Sequence, residues 1–327
     1  MGITVAVTGP TGEIGMSAVA ALEALDEVDE IIGMARRPFE PAEHGWSKTS
    51  YQQGDILDRQ AVEELVARAD VVVHLAFIIM GSREESARIN LRGTRNVFEA
   101  TVAAARPQRL VYTSSVAAYG YHSDNPVPIT EDVAARGSPE HYYSEQKAAC
   151  EAALAEITDG TTLQVYVLRP CIVAGPKAPA LADVMPWNQL PGPVKRVTQA
   201  LPLLKPPFPD PGTPLQLVHH DDVATAIALA ATTSAPPGAY NIAGDGVVSM
   251  SDVARELGAR PVRVPHATVS VASGVVARLP FVPSILEWLH IGRTSVVMDT
   301  TKARTQLGWQ PKYSTADTLS ELAASLR

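Results

Sequence analysis

The first half of the chain alternates short apolar runs, rich in β-branched residues, with longer amphipathic stretches. The apolar runs predict strands at 3–9, 30–36, 69–77, 109–115 and 163–170. Helical periodicity lies between them at 13–25, 61–69 and 89–105, and a further helix precedes the last strand. Strands that are apolar throughout indicate a parallel sheet covered by helices on both faces. With right-handed crossovers, the alternation predicts an α/β fold with a doubly wound parallel sheet.

The regular alternation is interrupted after residue 170. Twelve of the 26 prolines lie between residues 170 and 214, and proline removes backbone donors and breaks regular elements. Strand and helix patterns resume at 214–231 and 239–244. We therefore predict a smaller, interleaved substrate-binding lobe rather than a separate C-terminal domain. The lobe comprises 177–213 plus 246–293, and the larger domain comprises 1–176, 214–245 and 294–327.

Composition disfavours several classes of function. The net charge of −8 argues against a nucleic-acid surface, which requires clustered Lys and Arg. Cys150 and Cys171 are the two cysteines, too few for a disulfide framework, so a reducing cytoplasm is the expected compartment. The longest apolar run, 71–80, is shorter than the ~20 residues that a membrane span needs. We expect a cytoplasmic protein that binds a small-molecule substrate and neither nucleic acid nor membrane.

Three glycines follow the first strand in the spacing GxxGxxG, at Gly9, Gly12 and Gly15. Glycine is needed where the backbone turns tightly and where a side chain would block a pyrophosphate, and the following helix offers free N–H groups to that anion. A tight turn between strand and helix is the simpler alternative. Because the motif ends a buried strand and opens a helix, we predict dinucleotide binding by a Rossmann-type sheet. The predicted contacts are Gly9, Thr11, Gly12, Glu13, Ile14 and Gly15.

The end of the second strand carries Arg36 and Arg37, where an NAD site has an acidic residue for the ribose 2′-hydroxyl. A guanidinium can instead bind a 2′-phosphate through two parallel hydrogen bonds. Two solvated surface arginines are the alternative. The position favours NADP as the cofactor, with NAD possible, and Arg36 as the better candidate. After the third strand, Asp55 is predicted to accept from the adenine amine and Ile56 to pack on the ring, unless Asp55 only forms a turn.

Longer motifs extend over nearly the whole chain. They are TGPTGEIG (8–15), GDILD (54–58), HLAF (74–77), NLRGTRNVFEA (90–100), YTSSVAAYG (112–120), YSEQK (143–147), LRPCIVAGP (168–176), HHDDVATA (219–226) and KARTQLGWQP (302–311). In this order and spacing, the sequence resembles the extended short-chain dehydrogenase/reductase family, which includes nucleotide-sugar epimerases and dihydroflavonol-type reductases. The resemblance implies a homodimer formed by the helix at 89–105 and the helix that carries Tyr143. It implies further cofactor contacts from Leu75, Ala76, Asn90 (unless it only caps its helix), Thr113, Pro170 and Ile172.

A helix is predicted to begin just before HYYSEQK (141–147), with Ser138 as N-cap and Pro139 as first helical residue. Residues four apart share a helix face, so Tyr143 pairs with Lys147, while the neighbouring tyrosine faces about 100° away. An ammonium beside a phenol, with the positive nicotinamide ring nearby, should bring the phenol pKa from about 10 toward neutrality. A surface aromatic over a lysine is the alternative. Given the glycine loop, we predict Tyr143 as the general acid–base residue, with Lys147 setting its pKa and reaching the nicotinamide ribose.

The resemblance also places a hydroxyl at the end of the YTSSVAAYG strand to hold the substrate oxygen. Alignment on the final YG makes Ser115 the match, with Ser114 as the fallback and a strand-end cap as the alternative role. In the reduction direction, Ser115 is expected to hydrogen-bond the carbonyl oxygen that Tyr143 protonates, while the cofactor supplies hydride.

No metal site is predicted. The residues of HHDD (219–222) are adjacent, and adjacent side chains are not expected to converge on one ion. Asp221 or Asp222 is instead expected to be the N-cap of the following helix.

The motif at 168–176 departs from the nucleotide-sugar enzymes of the family, which carry an asparagine that contacts the sugar-nucleotide phosphates. This chain has Ile172 at that place, and its side chain cannot donate a hydrogen bond. The segment 268–292 is apolar enough to cover a hydrophobic pocket. The lobe is also poor in cations, since its bases before residue 214 are Lys177, Lys195, Arg196 and Lys205.

These features favour an NADP-dependent oxidoreductase that interconverts an alcohol and a ketone or aldehyde on a small, largely apolar, non-nucleotide substrate. A nucleotide-sugar epimerase or dehydratase that retains its NAD(P) is the alternative. A catalytically silent dinucleotide-binding sensor is less favoured, because such relatives usually lose the tyrosine or the lysine, and Tyr143 and Lys147 are both present.

Overall fold

A central sheet of seven strands organises the molecule, of which the computed structural model describes residues 2–79, 82–185, 205–265 and 295–326. The strands are β1 (Ile3–Thr8), β2 (Val28–Ala35), β3 (Thr49–Gln53), β4 (Val71–His74), β5 (Arg109–Thr113), β6 (Gln164–Pro170) and β11 (Gly238–Ile242). They lie in the order β11–β6–β5–β4–β1–β2–β3, and every neighbouring pair is parallel. The predicted doubly wound parallel sheet is confirmed, and its strand order reverses between β1 and β4, where such sheets bind ligands.

Helices cover both faces of the sheet. The first face carries α1 (Glu13–Glu23) and α7 (His220–Thr232), and the second carries α2 (Arg59–Val66), α4 (Thr94–Ala103) and α5 (Tyr142–Thr158). Alternate strand residues supply the two cores, so Val5 and Val7 belong to the first and Ala6 to the second. The remaining described helices are α3 (Arg83–Ala87), α6 (Ala180–Asp183), α8 (Met250–Glu256), α9 (Thr301–Thr305) and α10 (Thr315–Ser325).

Six shorter strands of the described residues lie outside the central sheet. They are β7 (Ile172–Ala174), β8 (Pro207–Asp210), β9 (Pro214–Leu215), β10 (Leu217–His219), β12 (Val248–Ser249) and β13 (Arg260–Arg263). β8 and β13, which pair in parallel, come from the two chain segments assigned to the smaller lobe. The lobe boundaries stay a prediction. Lys195, Arg196 and the apolar segment 268–292 lie outside the described residues.

The helix predicted at 89–105 is present as far as Ala103, but its first five residues are π-helical. A π-helical turn, Arg88–Gly93, precedes α4 there. Asn90 lies in that turn and is fully buried. Its side-chain oxygen accepts from the backbone N–H of Ile78 at 2.8 Å, and its side-chain nitrogen donates to the carbonyl of Ile78 at 2.9 Å. The π-helical turn therefore occurs where Asn90 bonds the loop at Ile78. Helical periodicity in the sequence does not reveal such a contact.

The predicted start of the helix that carries Tyr143 is wrong. α5 begins at Tyr142, and its N-cap is His141, whose Nδ1 accepts from the backbone N–H of Ser144 at 3.3 Å. The hydroxyl of Ser138 instead accepts from the backbone N–H of Tyr121 at 2.8 Å. Ser138 therefore holds the loop at Tyr121 instead of capping α5.

Neither aspartate of the HHDD run caps α7. His219 is the N-cap, with its Nδ1 accepting from the backbone N–H of Asp221 at 3.2 Å. The buried carboxylate of Asp222 accepts from the backbone N–H groups of Lys312 and Tyr313, at 2.8 Å and 3.0 Å. Asp222 therefore ties α7 to the segment before α10.

Two further expectations concern the surface. In the four described ranges, no helix is both long enough and apolar enough to cross a membrane. The helices named for a homodimer, α4 and α5, pack side by side on the second face. The homodimer itself stays a prediction.

Replacing Asp222 tests the link between α7 and the C-terminal segment. Asp222→Asn should lower the free energy of unfolding by about 1–3 kcal/mol, because the amide group turns a donor toward one of two buried backbone N–H groups. Urea denaturation measures the loss. The matched control is Asp221→Asn, whose carboxylate is half exposed and should change stability by less than about 0.5 kcal/mol. Equal losses in the two variants would contradict the assignment.

Candidate active site

The glycine loop between β1 and α1 is shaped by two close backbone approaches. Gly9 has a φ of +77°, and a Cβ built on it would lie 2.8 Å from the backbone nitrogen of Ala76. A Cβ on Gly15 would lie 2.1 Å from the carbonyl oxygen of Gly9. These two glycines are therefore required by the packing of the chain on itself.

Gly12 differs, because the chain itself leaves room for a side chain there. A Cβ on Gly12 would meet only the carbonyl oxygen of Gly9, at an ordinary 3.4 Å. Gly12 is the N-cap of α1 and offers no side chain to cap it, so the N–H groups of Glu13, Ile14 and Gly15 have no acceptor within the helix. Open space before a bare helix N-terminus suits an anion such as a pyrophosphate.

The carbonyl groups of Arg36 and Arg37, just beyond β2, are held by side chains of β3. Gln53 donates to the carbonyl of Arg36 at 2.9 Å, and the hydroxyl of Tyr51 donates to that of Arg37. Both arginines are exposed, and neither guanidinium forms an ion pair with a described carboxylate. The two guanidinium groups are thus available to an anion at this edge of the sheet.

Asp55 and Ile56, predicted to contact adenine, make contacts within the protein. The Asp55 carboxylate accepts from the backbone N–H of Leu57 at 2.9 Å, which is the turn role considered as the alternative. Ile56 is buried in the second core, where a Cβ on Gly93 would meet its side chain at 2.6 Å. Ile56 is thus largely covered by the protein itself, and its adenine contact stays a prediction.

One cavity of about 650 Å³ runs from the glycine loop to the start of α5. The cavity brings together most of the predicted site, and its lining includes Gly9, Gly12, Glu13, Ile14, Gly15, Leu75, Thr113, Ser115, Tyr143, Lys147, Pro170 and Ile172. It does not reach seven other predicted contacts, which are Thr11, Arg36, Arg37, Asp55, Ile56, Ala76 and Asn90. Ala76 nevertheless abuts Gly9.

Asn90 acts behind the cavity wall rather than in it. Besides its two bonds to Ile78, its amide donates to the side-chain oxygen of Gln146 at 2.8 Å. Ile78 lines the cavity and Gln146 lies on α5. Asn90 therefore fixes the segment after β4 against the helix that carries Tyr143.

Tyr143 and Lys147 both line the cavity from α5, as their spacing predicts. The Lys147 ammonium is buried, donates to the carbonyl of Thr113 at 2.9 Å and lies 3.6 Å from the ring centre of Phe77. Burial disfavours its charge and lowers the pKa of Lys147 to about 8. The amine therefore titrates close to the physiological range.

The predicted lowering of the phenol pKa joins Lys147 with a nicotinamide ring and stays a prediction, while the protein's own groups shift this pKa in the opposite direction. Burial raises the pKa of Tyr143 to about 12, and a hydrogen bond with Ser115 only partly offsets it. The ammonium faces Thr113 and Phe77, and lies 5.9 Å from the centre of the Tyr143 ring. The lowering of the phenol pKa must therefore come from a further positive charge, such as an oxidised nicotinamide ring.

The two candidate serines have different partners. Ser114 lines the cavity, and its hydroxyl donates to the carboxylate of Glu151 at 2.5 Å, two helical turns along α5 from Tyr143. Ser115 lines the cavity close to Tyr143, whose pKa it lowers, and its oxygen accepts from the backbone N–H of Ala117 at 3.2 Å. Ser115 therefore stands beside the phenol, and it also serves as the cap that was the alternative.

A buried hydroxyl in the cavity also suits a polar ligand. Thr113 Oγ1 is buried and has no hydrogen-bond partner among the described residues. A buried polar group without a partner is costly unless a ligand or water satisfies it. Together with the space at Gly12, this observation indicates that the residues present fit a dinucleotide.

The cavity has an aromatic wall that was not predicted from the sequence. Phe77, Tyr121, His141 and Tyr142 line it beside Tyr143, and the Tyr142 hydroxyl donates to the carbonyl of Ile79 at 3.0 Å. Phe77 was visible as the last residue of HLAF, and His141 as the residue before the tyrosine pair. Their placement depends on the loop contacts, which carry no periodic signal.

The HHDD run does bring ligand-type atoms together, contrary to the reason given for excluding a metal. One such atom from each of His219, His220 and Asp221 lies within 4.8 Å of the others. The Nδ1 atoms already have partners, since that of His219 accepts from Asp221 N–H and that of His220 lies 2.8 Å from the Ser17 hydroxyl. The absence of a bound metal stays a prediction.

Alanine substitutions at Gly12 and Gly15 distinguish a glycine that leaves room for a ligand from one that the packing of the chain requires. Gly12→Ala should leave the thermal midpoint of the free protein within about 2 °C of the original and weaken NADP⁺ and NAD⁺ binding by about 10-fold or more. Gly15→Ala should lower the thermal midpoint as well, because its Cβ would overlap the Gly9 carbonyl. Calorimetry and thermal denaturation provide the two readouts. Unchanged dinucleotide affinity in Gly12→Ala would rule out a pyrophosphate at this loop.

Comparison with known sequences gives relatives of low identity. The chain is 27% identical over 297 residues to the uncharacterized protein y4nG of Sinorhizobium fredii, covering 87% of this chain and 70% of that one. It is 27% identical over 260 residues to the uncharacterized protein Rv0501 of Mycobacterium tuberculosis, covering 77% of this chain. It spans 64% of the length of that mycobacterial relative.

Solved structures share the whole fold. UDP-glucose 4-epimerase from Thermotoga maritima, solved with UDP-glucose, has a TM-score of 0.72 at 20% identity, covering 99% of this chain and 98% of that one. WbmG of Bordetella bronchiseptica, in complex with NAD and UDP, has a TM-score of 0.70 at 21% identity, covering 99% and 94%. At such identities the likeness shows the fold alone.

A protein-family model decides the family. The model of the NAD dependent epimerase/dehydratase family matches residues 5–243, a span that holds the glycine loop, Ser115, Tyr143 and Lys147. The match confirms the resemblance drawn from the sequence motifs. This chain belongs to the NAD-dependent epimerase/dehydratase family.

Proposed function

We propose that the protein catalyses NAD(P)-dependent hydride transfer between a carbinol carbon of its substrate and the nicotinamide ring, with Tyr143 as the general acid–base residue. One observation carries the proposal. A single cavity contains both the glycine loop, which suits a pyrophosphate, and the group formed by Tyr143, Ser115 and Lys147. A dinucleotide bound at the loop and extended along the cavity reaches that group.

The residues of this group have distinct roles in the proposed reaction. When bound, the cofactor supplies or accepts the hydride. Ser115 donates a hydrogen bond to the substrate oxygen, and Tyr143 gives that oxygen its proton during reduction or takes it during oxidation. Lys147 holds the nicotinamide ribose with its remaining donors and keeps a positive charge near the phenol.

The epimerase or dehydratase course is the first candidate for the overall reaction. In that course the carbinol is oxidised transiently and the cofactor stays bound and is regenerated. The family match and the nucleotide-sugar enzymes among the structural neighbours support this course. They support it better than the net reduction of a small apolar substrate, which the sequence analysis favoured.

Net oxidoreduction of an uncharged substrate remains the second candidate, because of the described cavity lining. Ile172, Leu181 and Val184 are apolar there, while Glu13 and Asp183 contribute carboxyl groups. Burial, and to a lesser degree the nearby Asp183, raises the pKa of Glu13. Within the described lining, Lys147 is the one Lys or Arg, so the diphosphate of a sugar nucleotide, which would lie beyond the glycine loop, finds little charge compensation there.

Replacing Tyr143 tests the acid–base role. Tyr143→Phe should lower turnover by about 10²–10⁴-fold with cofactor affinity retained. The matched control, Tyr142→Phe, removes the neighbouring hydroxyl and its bond to Ile79, and should stay within about 3-fold of the original rate. The assay screens UDP-glucose, dTDP-glucose, simple ketones, aldehydes and alcohols with both NADP(H) and NAD(H). Full turnover by Tyr143→Phe would refute the role.

The same assay separates the two courses. The first candidate predicts a dinucleotide that co-purifies with the protein and a product formed without net consumption of added NADPH or NADH. The second predicts one reduced cofactor oxidised for each carbonyl reduced.

The cofactor preference is a further part of the proposal. The family supports NAD dependence in general, and the exposed Arg36 and Arg37 favour the 2′-phosphate of NADP. Arg36→Ala should weaken NADPH binding by about 10-fold while leaving NADH binding unchanged, since only NADPH presents the phosphate. Arg37→Ala should show a smaller difference between the cofactors. Equal losses of NADPH and NADH affinity in Arg36→Ala, measured by fluorescence titration, would exclude the contact.

A further inference from the structure

An aromatic ring covers the Lys147 ammonium on the side of the cavity. The ammonium lies over the face of the Phe77 ring, with 3.6 Å between Nζ and the ring centre. The ring centres of Tyr112 and Tyr143 are farther from Nζ, at 5.2 Å and 5.9 Å. Tyr112 is buried in the second core, whereas Phe77 lines the cavity. Of these three rings, Phe77 is therefore the one that a ligand in the cavity meets first at the ammonium.

The ring takes up the space that a ribose hydroxyl needs. An ammonium has three N–H donors, and Lys147 uses one on the carbonyl of Thr113 at 2.9 Å. A hydroxyl oxygen that accepts from the ammonium lies about 2.9 Å from Nζ. Such an oxygen does not fit within the 3.6 Å between Nζ and the centre of the Phe77 ring. The ring and the ribose therefore compete for one side of the ammonium.

The contact between Phe77 and Lys147 is attractive in the free protein. A cation over the face of an aromatic ring is attracted by the ring quadrupole, and the attraction is larger where water is excluded. Lys147 is only 3% exposed, so Phe77 and Thr113 supply what water would otherwise supply to its charge. The ring of Tyr143 meets that of Phe77 nearly at right angles, with 5.6 Å between the centres, a favourable arrangement that supports this position.

The backbone is fixed on both sides of Phe77, whereas its side chain borders open space. The N–H of Leu75 donates to the carbonyl of Thr8 at 3.1 Å. Asn90 bonds both the N–H and the carbonyl of Ile78. The Phe77 ring itself is half-buried and lies on the cavity. Moving the ring off the ammonium is therefore a rotation of one side chain and not a movement of the loop.

We propose that Phe77 is an aromatic gate, which covers Lys147 in the free protein and turns away when the nicotinamide half of the cofactor binds. Binding then exchanges the ring face for the ribose hydroxyls as the partner of the ammonium. The gate acts on the affinity for the dinucleotide and takes no part in the transfer of hydride or proton. The inference rests on the proposed function, in which Lys147 holds the nicotinamide ribose.

Two kinds of nucleotide test the gate in the full-length protein. NADP⁺ and NAD⁺ carry a nicotinamide ribose, whereas adenosine 2′,5′-bisphosphate and ADP carry only the adenine half. Phe77→Leu should bind the dinucleotides about 3-fold to 10-fold more tightly, because a site that is open without ligand loses no affinity to a closed state. It should bind the adenine nucleotides within about 2-fold of the original protein. Isothermal titration calorimetry at pH 7 measures these affinities.

Two further replacements separate the attraction of the ring from its size. Pentafluorophenylalanine in place of Phe77 keeps the shape of the ring but removes the negative potential of its face. This protein should bind the dinucleotides more tightly, as Phe77→Leu does. Phe77→Tyr keeps the attractive face and should bind them within about 2-fold of the original protein.

Four outcomes would overturn the gate. They are unchanged or weaker dinucleotide binding in Phe77→Leu, an equal gain for the adenine nucleotides, unchanged binding with the pentafluorinated ring, and an equal gain in Phe77→Tyr. All four leave the proposed function standing, since Tyr143→Phe decides the acid–base role separately by its turnover. If the original protein binds neither NADP⁺ nor NAD⁺, the proposed function is refuted and the gate with it.

Discussion

The hydrogen bond from the Lys147 ammonium to the carbonyl of Thr113 joins helix α5 to the carboxyl end of β5. Parallel strands bring their carboxyl ends to one edge of the sheet, and β1 supplies the glycine loop at that same edge. Because α5 is held there, Tyr143 faces the cavity that begins at the loop. The bond between Lys147 and Thr113 therefore places the candidate acid–base group in the same cavity as the glycine loop.

This arrangement buries Lys147 and half-buries Tyr143 in the cavity, and the loss of solvent shifts their two pKa values in opposite directions. Burial lowers the pKa of Lys147 to about 8 and raises that of Tyr143 to about 12. At neutral pH both groups therefore keep their protons, and the phenol is suited to act as an acid. To act as a base, it needs an added positive charge, which oxidised nicotinamide carries. In the proposed function, the site becomes competent for oxidation only with the oxidised cofactor in the cavity.

The sequence predicts the parts of the structure that repeat and misses those that depend on one partner. Apolar strands and amphipathic helices have a period, and so the sheet and the shared face of Tyr143 and Lys147 are found. Ser138 has the chemistry of an N-cap, but its hydroxyl bonds a loop far from it in sequence. The direction of the Lys147 side chain is likewise set by single contacts, with Thr113 and Phe77, which have no period in the sequence.

The central claim concerns where a dinucleotide lies relative to Tyr143. A crystal structure of the protein with NADP⁺ bound tests it most directly. The account predicts a pyrophosphate on the N–H groups of Glu13, Ile14 and Gly15, and a nicotinamide ring separated from the Tyr143 hydroxyl by the width of one carbonyl group. A dinucleotide bound away from the glycine loop, or one whose nicotinamide ring points out of the cavity, would contradict it.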